Sequence, residues 1–114
     1  MKQQLTGVYT AKRKDGSTYF RASLTYRNKH ISLGSYDHEK KAHETYLCAF
    51  QLLKDSSRHL DDYDAASPLP FNKWVSLINF RDNGIYFNTP IYIRPRFFYY
   101  YFSPSDFFIF DMDD

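Results

Sequence analysis

The chain has 114 residues, a formal net charge of +2 and a single cysteine, Cys48. This length holds one small domain or a domain with an appendage, one cysteine excludes an internal disulfide, and no apolar run approaches the ~20 residues of a membrane span. The N-terminal stretch MKQQLTGVYT has no apolar leader core, so the sequence reads as cytoplasmic.

Charge and aromatic content divide the chain in two. Residues 1–60 carry 11 Lys/Arg against 5 Asp/Glu, hence +6, whereas residues 61–114 carry 4 against 8, hence −4. Only 7 of the aromatic residues fall in the first part and 16 in the second, so the two parts call for different partners. Between them SSRHLDDYDAASPLP (residues 56–70), polar and with two prolines, marks a boundary with a linker over residues 59–70.

In chain order, residues 7–11 make a short strand with Val8 inward. Asp15-Gly16 then lies between two strand-like runs, a hairpin signal because glycine accepts positive φ. From Tyr19 to Tyr26 the residues alternate, with Phe20, Ala22, Leu24 and Tyr26 on one side and Tyr19, Arg21, Ser23 and Thr25 on the other. YRNKH is a second turn with Asn28 as its left-handed residue, and residues 30–33 form a third strand, closed by Gly34, with Ile31 and Leu33 inward. Helical periodicity follows. Asp37 suits the N-cap, and Ala42, Tyr46, Ala49, Phe50 and Leu53 form one apolar stripe. Cys48 lies one step off that stripe and reads as buried filler.

Three strands and one amphipathic helix predict a two-layer α+β unit over residues 1–58, the helix covering Val8, Phe20, Ala22, Leu24, Ile31 and Leu33. Nothing in this segment is left to cover the opposite face, which holds Tyr9, Arg13, Arg21, Ser23, Thr25, His30 and Ser32. Lys12, Lys14, Arg27 and Lys29 fringe it with positive charge at the turns. One arginine on a strand is an ordinary solvated residue. A whole uncovered face with a local charge of +6 instead points to nucleic acid, because arginine pairs bidentately with guanine in the major groove and hydroxyls reach bases or phosphates.

The stretch GVY…KR…YFRASLTYRNKHISLGSYDHEKKAHETY resembles the APETALA/ethylene-response-factor type of DNA-binding domain in its bacterial and phage form, and is similar to the N-terminal arm-binding domain of tyrosine integrases. Gly7-Val8, Phe20 in place of the usual Trp, Ala22, Leu24, residues 31–34, Tyr36-Asp37, Ala42 and Tyr46 carry the resemblance, over residues 5–54. It implies a three-stranded sheet in the major groove of double-stranded DNA with a helix behind it, and contacts from Tyr9, Arg13, Arg21, Ser23, Thr25, His30 and Ser32. Ser23, where a charged residue is common, and Ala11, where Arg often stands, depart from the plant pattern.

The aromatic part, residues 71–114, reads as mostly β with one short helix. Phe71, Trp74, Val75, Leu77 and Ile78 make a helical stripe, and RDNG with Asn83-Gly84 signals a type I′ hairpin. Strands are expected at 85–88, 91–93, 97–102 and 107–110, held short by Pro90, Pro95 and Pro104. A turn at residues 103–106 predicts a hairpin presenting one ring face outward, with Tyr99 and Tyr101 on it beside Asp106, Asp111, Asp113 and Asp114. The surplus rings either pack as core or form a protein-binding surface, and that surface serves dimerisation or capture of a protein partner.

His30, His38, His43 and His59 lack metal-ligand spacing, and neither a phosphate loop nor a carboxylate pair of catalytic pattern occurs, so no cofactor, no metal and no enzyme activity is expected. Two readings stand. One is a non-catalytic DNA-binding accessory or regulatory protein of a phage or mobile element. The other is an inhibitor of a host defence nuclease, an anti-CRISPR protein, that grips the effector–guide complex through its acidic aromatic half.

Overall fold

The computed structural model describes residues 5–112. The fold is α+β, in two compact units that meet in sequence between Phe50 and Gln51. In the first, β1 (Val8–Lys12), β2 (Thr18–Tyr26) and β3 (Lys29–Tyr36) form an antiparallel sheet in the order β1-β2-β3. Helix α1 (Glu39–Lys54) follows and runs across the boundary.

Local chemistry explains the turns. After β1, the Gly16 amide donates to the Arg13 carbonyl, and Asp15 Oδ1 accepts from both the amide and the hydroxyl of Ser17 (2.9 and 2.7 Å). These bonds hold the Asp15 carboxyl below its ordinary value. Between β2 and β3 both Arg27 (φ 50°) and Asn28 (φ 67°) are left-handed. Gly34 does not close β3. The pairing passes from Ala22↔Gly34 to Ser23↔Ser32, so Leu33 is an extra residue and the strand continues through this bulge to Tyr36.

Val8, Ala22, Leu24, Ile31 and Leu33 are buried, as the alternation requires, while Phe20 is only half-buried at the margin of the same face. The buried stripe of α1 is Ala42, Thr45, Ala49, Leu52 and Leu53. It is rotated from the expected one: Tyr46 and Cys48 are half-buried, and Phe50 is exposed and stacked on Tyr46. Thr45 can turn inward because its hydroxyl donates to the Lys41 carbonyl at 2.9 Å. Tyr46 turns instead toward Gly7, where a Cβ would come within 2.2 Å of its ring. Nor is Asp37 the helix cap. Its carboxylate accepts from Arg13 Nη2 at 2.6 Å, and the helical bonding starts with the Ala42 amide on the His38 carbonyl.

The second unit contains a short 3₁₀ turn at Leu60–Asp62, helix α2 (Phe71–Asn83) and strands β4 (Ile91–Ile93), β5 (Phe97–Ser103) and β6 (Asp106–Asp111) in the antiparallel order β4-β5-β6. The polar stretch over 59–70 packs on α2. Trp74 Nε1 donates to the Leu60 carbonyl, and the Tyr63 ring sits edge-on to Phe71 and Trp74 at 5.1 and 5.5 Å. Asn83-Gly84 is no hairpin turn: Gly84, left-handed at φ 79°, ends α2 by donating its amide to the Phe80 carbonyl.

Residues 85–88 are not a strand, and the Ile85 carbonyl, at their start, is held by a side chain instead of a neighbouring strand. The fully buried Asn79 donates to the Ile85 carbonyl (2.8 Å) and accepts at Oδ1 from the Ile93 amide (2.8 Å) and from Asn83 Nδ2 (2.7 Å). Arg81, also buried, donates to the carbonyls of Leu52, Asp55 and Arg58 and to the Asp82 carboxylate. Among the described residues no helix is long and apolar enough to cross a membrane.

Candidate nucleic-acid interface

The period of two in β2 sets Tyr19, Arg21, Ser23 and Thr25 on the face away from the buried residues. Pairing brings Tyr9 opposite Arg21, Ser32 opposite Ser23, and His30 opposite Thr25. Antiparallel register thus gathers residues up to 23 positions apart in sequence, Tyr9 and Ser32, into one surface. It is concave: a hollow of about 370 Å³ is lined by Tyr9, Arg21, Ala22, Ser23, His30 and Ser32.

The rim of that hollow is exposed and its floor is not. Tyr9 is 55% exposed, and Arg21, His30 and Ser32 are exposed as well, as is Thr25, which shares the face but does not line the hollow. Ser23 is 6% exposed, and its hydroxyl has no hydrogen-bond partner among the described residues. The expectation that the whole face is left uncovered therefore changes at Ser23, which lies at the bottom of the hollow. A buried hydroxyl left unpaired costs ~1–3 kcal/mol, which a ligand atom entering the hollow would recover.

Tyr19 organises the cations at one end. Its hydroxyl accepts from Arg21 Nη2 at 2.8 Å, and its ring carries the Arg13 guanidinium at 5.0 Å and that of Arg21 at 5.6 Å. Arg13 is also held by Asp37, so its charge is partly matched and its position fixed. Tyr19 was not among the expected contacts, although its place two residues before Arg21 on the same face was the signal for it. Lys12, Lys14, Arg27 and Lys29 are exposed at the turns, and Arg27 lies over the Tyr26 ring at 4.8 Å.

The expected protein-contact residues are arranged differently. Hydrogen bonds from Arg94 to Phe97 and from Tyr101 to Pro90 turn the odd-numbered backbone groups of β5 toward β4, and the bond from Met112 to Arg96 turns the even-numbered groups of β6 toward β5. The odd side chains Tyr99, Tyr101 and Phe107 pack together, and Tyr101 meets Phe71 of α2 at 5.7 Å. Tyr101 is buried and Tyr99 half-buried, so both belong to the inner face. Burial first, then the nearby Asp61 charge, raises the Tyr101 phenol above its ordinary value. The outward rings are Phe98, Tyr100, Phe102, Phe108 and Phe110, in a connected series of contacts at 4.8–6.2 Å. Asp106 and Asp111 are exposed at the two ends of β6, whereas Asp113 and Asp114 lie outside the described residues.

No family model, no curated protein and no solved structure matches the chain.

Proposed function

We propose that the outer face of β1–β3 binds double-stranded DNA, entering the major groove as a non-catalytic DNA-binding module. The observation that carries this reading is the uncovered hollow, in which one sheet face collects Arg21, Tyr9, His30 and Ser32 within a fringe of lysines and arginines. A ribbon of strands fits a groove about 12 Å wide, and the guanidinium of Arg21, steadied by Tyr19, has the fork geometry that pairs with guanine. Arg13 and Arg27 at the turns, with Lys12, Lys14 and Lys29, reach phosphates on either side. A helix behind a three-stranded sheet is also the arrangement that the APETALA-type resemblance implies.

Binding of the intact protein to a labelled duplex, followed by fluorescence anisotropy, tests the reading. Arg21→Ala is expected to weaken binding by ~1–3 kcal/mol and to flatten the preference among sequences. Lys14→Ala is expected to weaken all sequences alike and to lower the slope of log affinity against log salt by about one. Unchanged affinity in Arg21→Ala refutes the major-groove arrangement.

A further inference from the structure

Strand β6 is an open edge of the second sheet, and it breaks the usual protection of such edges. All six of its residues are exposed, among them four consecutive large apolar ones, Phe107, Phe108, Ile109 and Phe110. The other edge, β4, is only three residues long and lies between Pro90 and Pro95. On β6 the alternation fixed by the Met112–Arg96 bond turns the amide and carbonyl groups of Phe107 and Ile109 away from β5, toward the side where no strand pairs among the described residues. Backbone donors, backbone acceptors and rings are thus offered along one line, with a carboxylate at each end, Asp106 and Asp111.

We infer that β6 is a strand-addition site for a protein partner that contributes an extended segment of alternating apolar residues ending in Lys or Arg. Backbone bonds to Phe107 and Ile109 supply the affinity of such a mode, and side chains on alternate positions supply the specificity. The added strand sets its apolar side chains beside Phe108 and Phe110 on one face and beside Phe107 and Ile109 on the other. The acidic ends select the occupant. Two copies of β6 side by side would crowd Asp106 and Asp111 of both chains at the ends of one sheet, where like charges destabilise pairing, whereas a segment with basic ends meets opposite charge. The site lies wholly in the second unit and does not rest on DNA binding.

The test uses the intact protein with a labelled synthetic peptide, Lys-Val-Thr-Val-Thr-Val-Lys, and its counterpart with Glu at both ends. The basic peptide is expected to bind about threefold to tenfold more tightly, with the advantage shrinking as salt is added. Amide exchange in the unmodified protein is the direct readout. On adding the basic peptide, the Phe107 and Ile109 amides are expected to slow about fivefold to tenfold, while Phe108 and Phe110, already paired with β5, stay as they were. Ile109→Pro removes an outward donor and no ladder bond, so it is expected to abolish the peptide effect with the fold kept. Equal binding of the acidic peptide, or no slowing at Phe107 and Ile109, overturns the inference. So does concentration-dependent dimerisation of the protein alone that Ile109→Pro removes, since the occupant is then a second copy.

Discussion

At the scale of single residues, the two units are held by groups that composition does not reveal. Gly7 combines φ +78° with a Tyr46 ring lying where its Cβ would be, and its carbonyl accepts from the Ser23 amide at 3.0 Å. Gly7→Ala is therefore expected to destabilise the first unit by ~2–4 kcal/mol, from the left-handed backbone and from overpacking together. In a Tyr46→Ala background the clash disappears and only the backbone share remains, so a double-mutant cycle by urea denaturation separates the two. Asp82 is the corresponding residue of the second unit. Burial raises its carboxyl, but hydrogen bonds from Arg81 and Tyr92 and the Arg81 charge outweigh burial and hold it below the ordinary value. A lowered carboxyl contributes stability that is complete above its unfolded value, ~3.9, and is lost as pH falls through the lower folded one. Urea midpoints are expected to fall from pH 5 toward pH 2, with Asp82→Asn showing less of that fall than the unmodified protein. An equal fall in both would mean that the Arg81–Asp82–Tyr92 contacts add no stability.

Among the elements, those written in short-range rules were legible and those set by distant side chains were not. The three strands and the helix of the first unit follow from alternation, turn residues and an apolar stripe, and β4, β5 and β6 stand close to their expected places. Asn83-Gly84 was misread because the dipeptide serves a hairpin and a helix end equally well, and the choice depends on Asn79 bonding to Ile85 and Ile93. The outer face of the first sheet was legible as a set, but the depth of Ser23 and the part played by Tyr19 come from packing across strands. In β5 every residue from 97 to 102 is aromatic, so no alternation marks the phase; the contact of Tyr101 with Phe71 decides it. That phase is testable. Tyr101→Ala removes a buried ring and is expected to cost about 3–5 kcal/mol, whereas Phe108→Ala, on the exposed face, is expected to stay within about 1 kcal/mol. Thermal melts of the two variants check the order, and a larger loss in Phe108→Ala would place the even-numbered rings in the core.

For the whole molecule, the two proposed surfaces fall in oppositely charged parts of the sequence. The hollow of the first sheet falls in the part of the sequence that sums to +6, residues 1–60, and both ends of β6 fall in the part that sums to −4, residues 61–114. Each candidate surface is built from residues of a single compact unit, and no side chain belongs to both. Free energies at sites that share no partners add within ~0.3–0.5 kcal/mol. The effects of Arg21→Ala and Ile109→Pro are accordingly expected to be independent. Arg21→Ala should lower duplex binding and leave basic-peptide binding unchanged, Ile109→Pro should do the reverse, and the double variant should show each loss at its single-variant size. Anisotropy titrations of the four proteins with duplex and with peptide measure the coupling. A coupling above about 1 kcal/mol would mean that occupying one surface changes the other, and the chain would then act as a linked switch between nucleic acid and protein partner rather than as two surfaces in series.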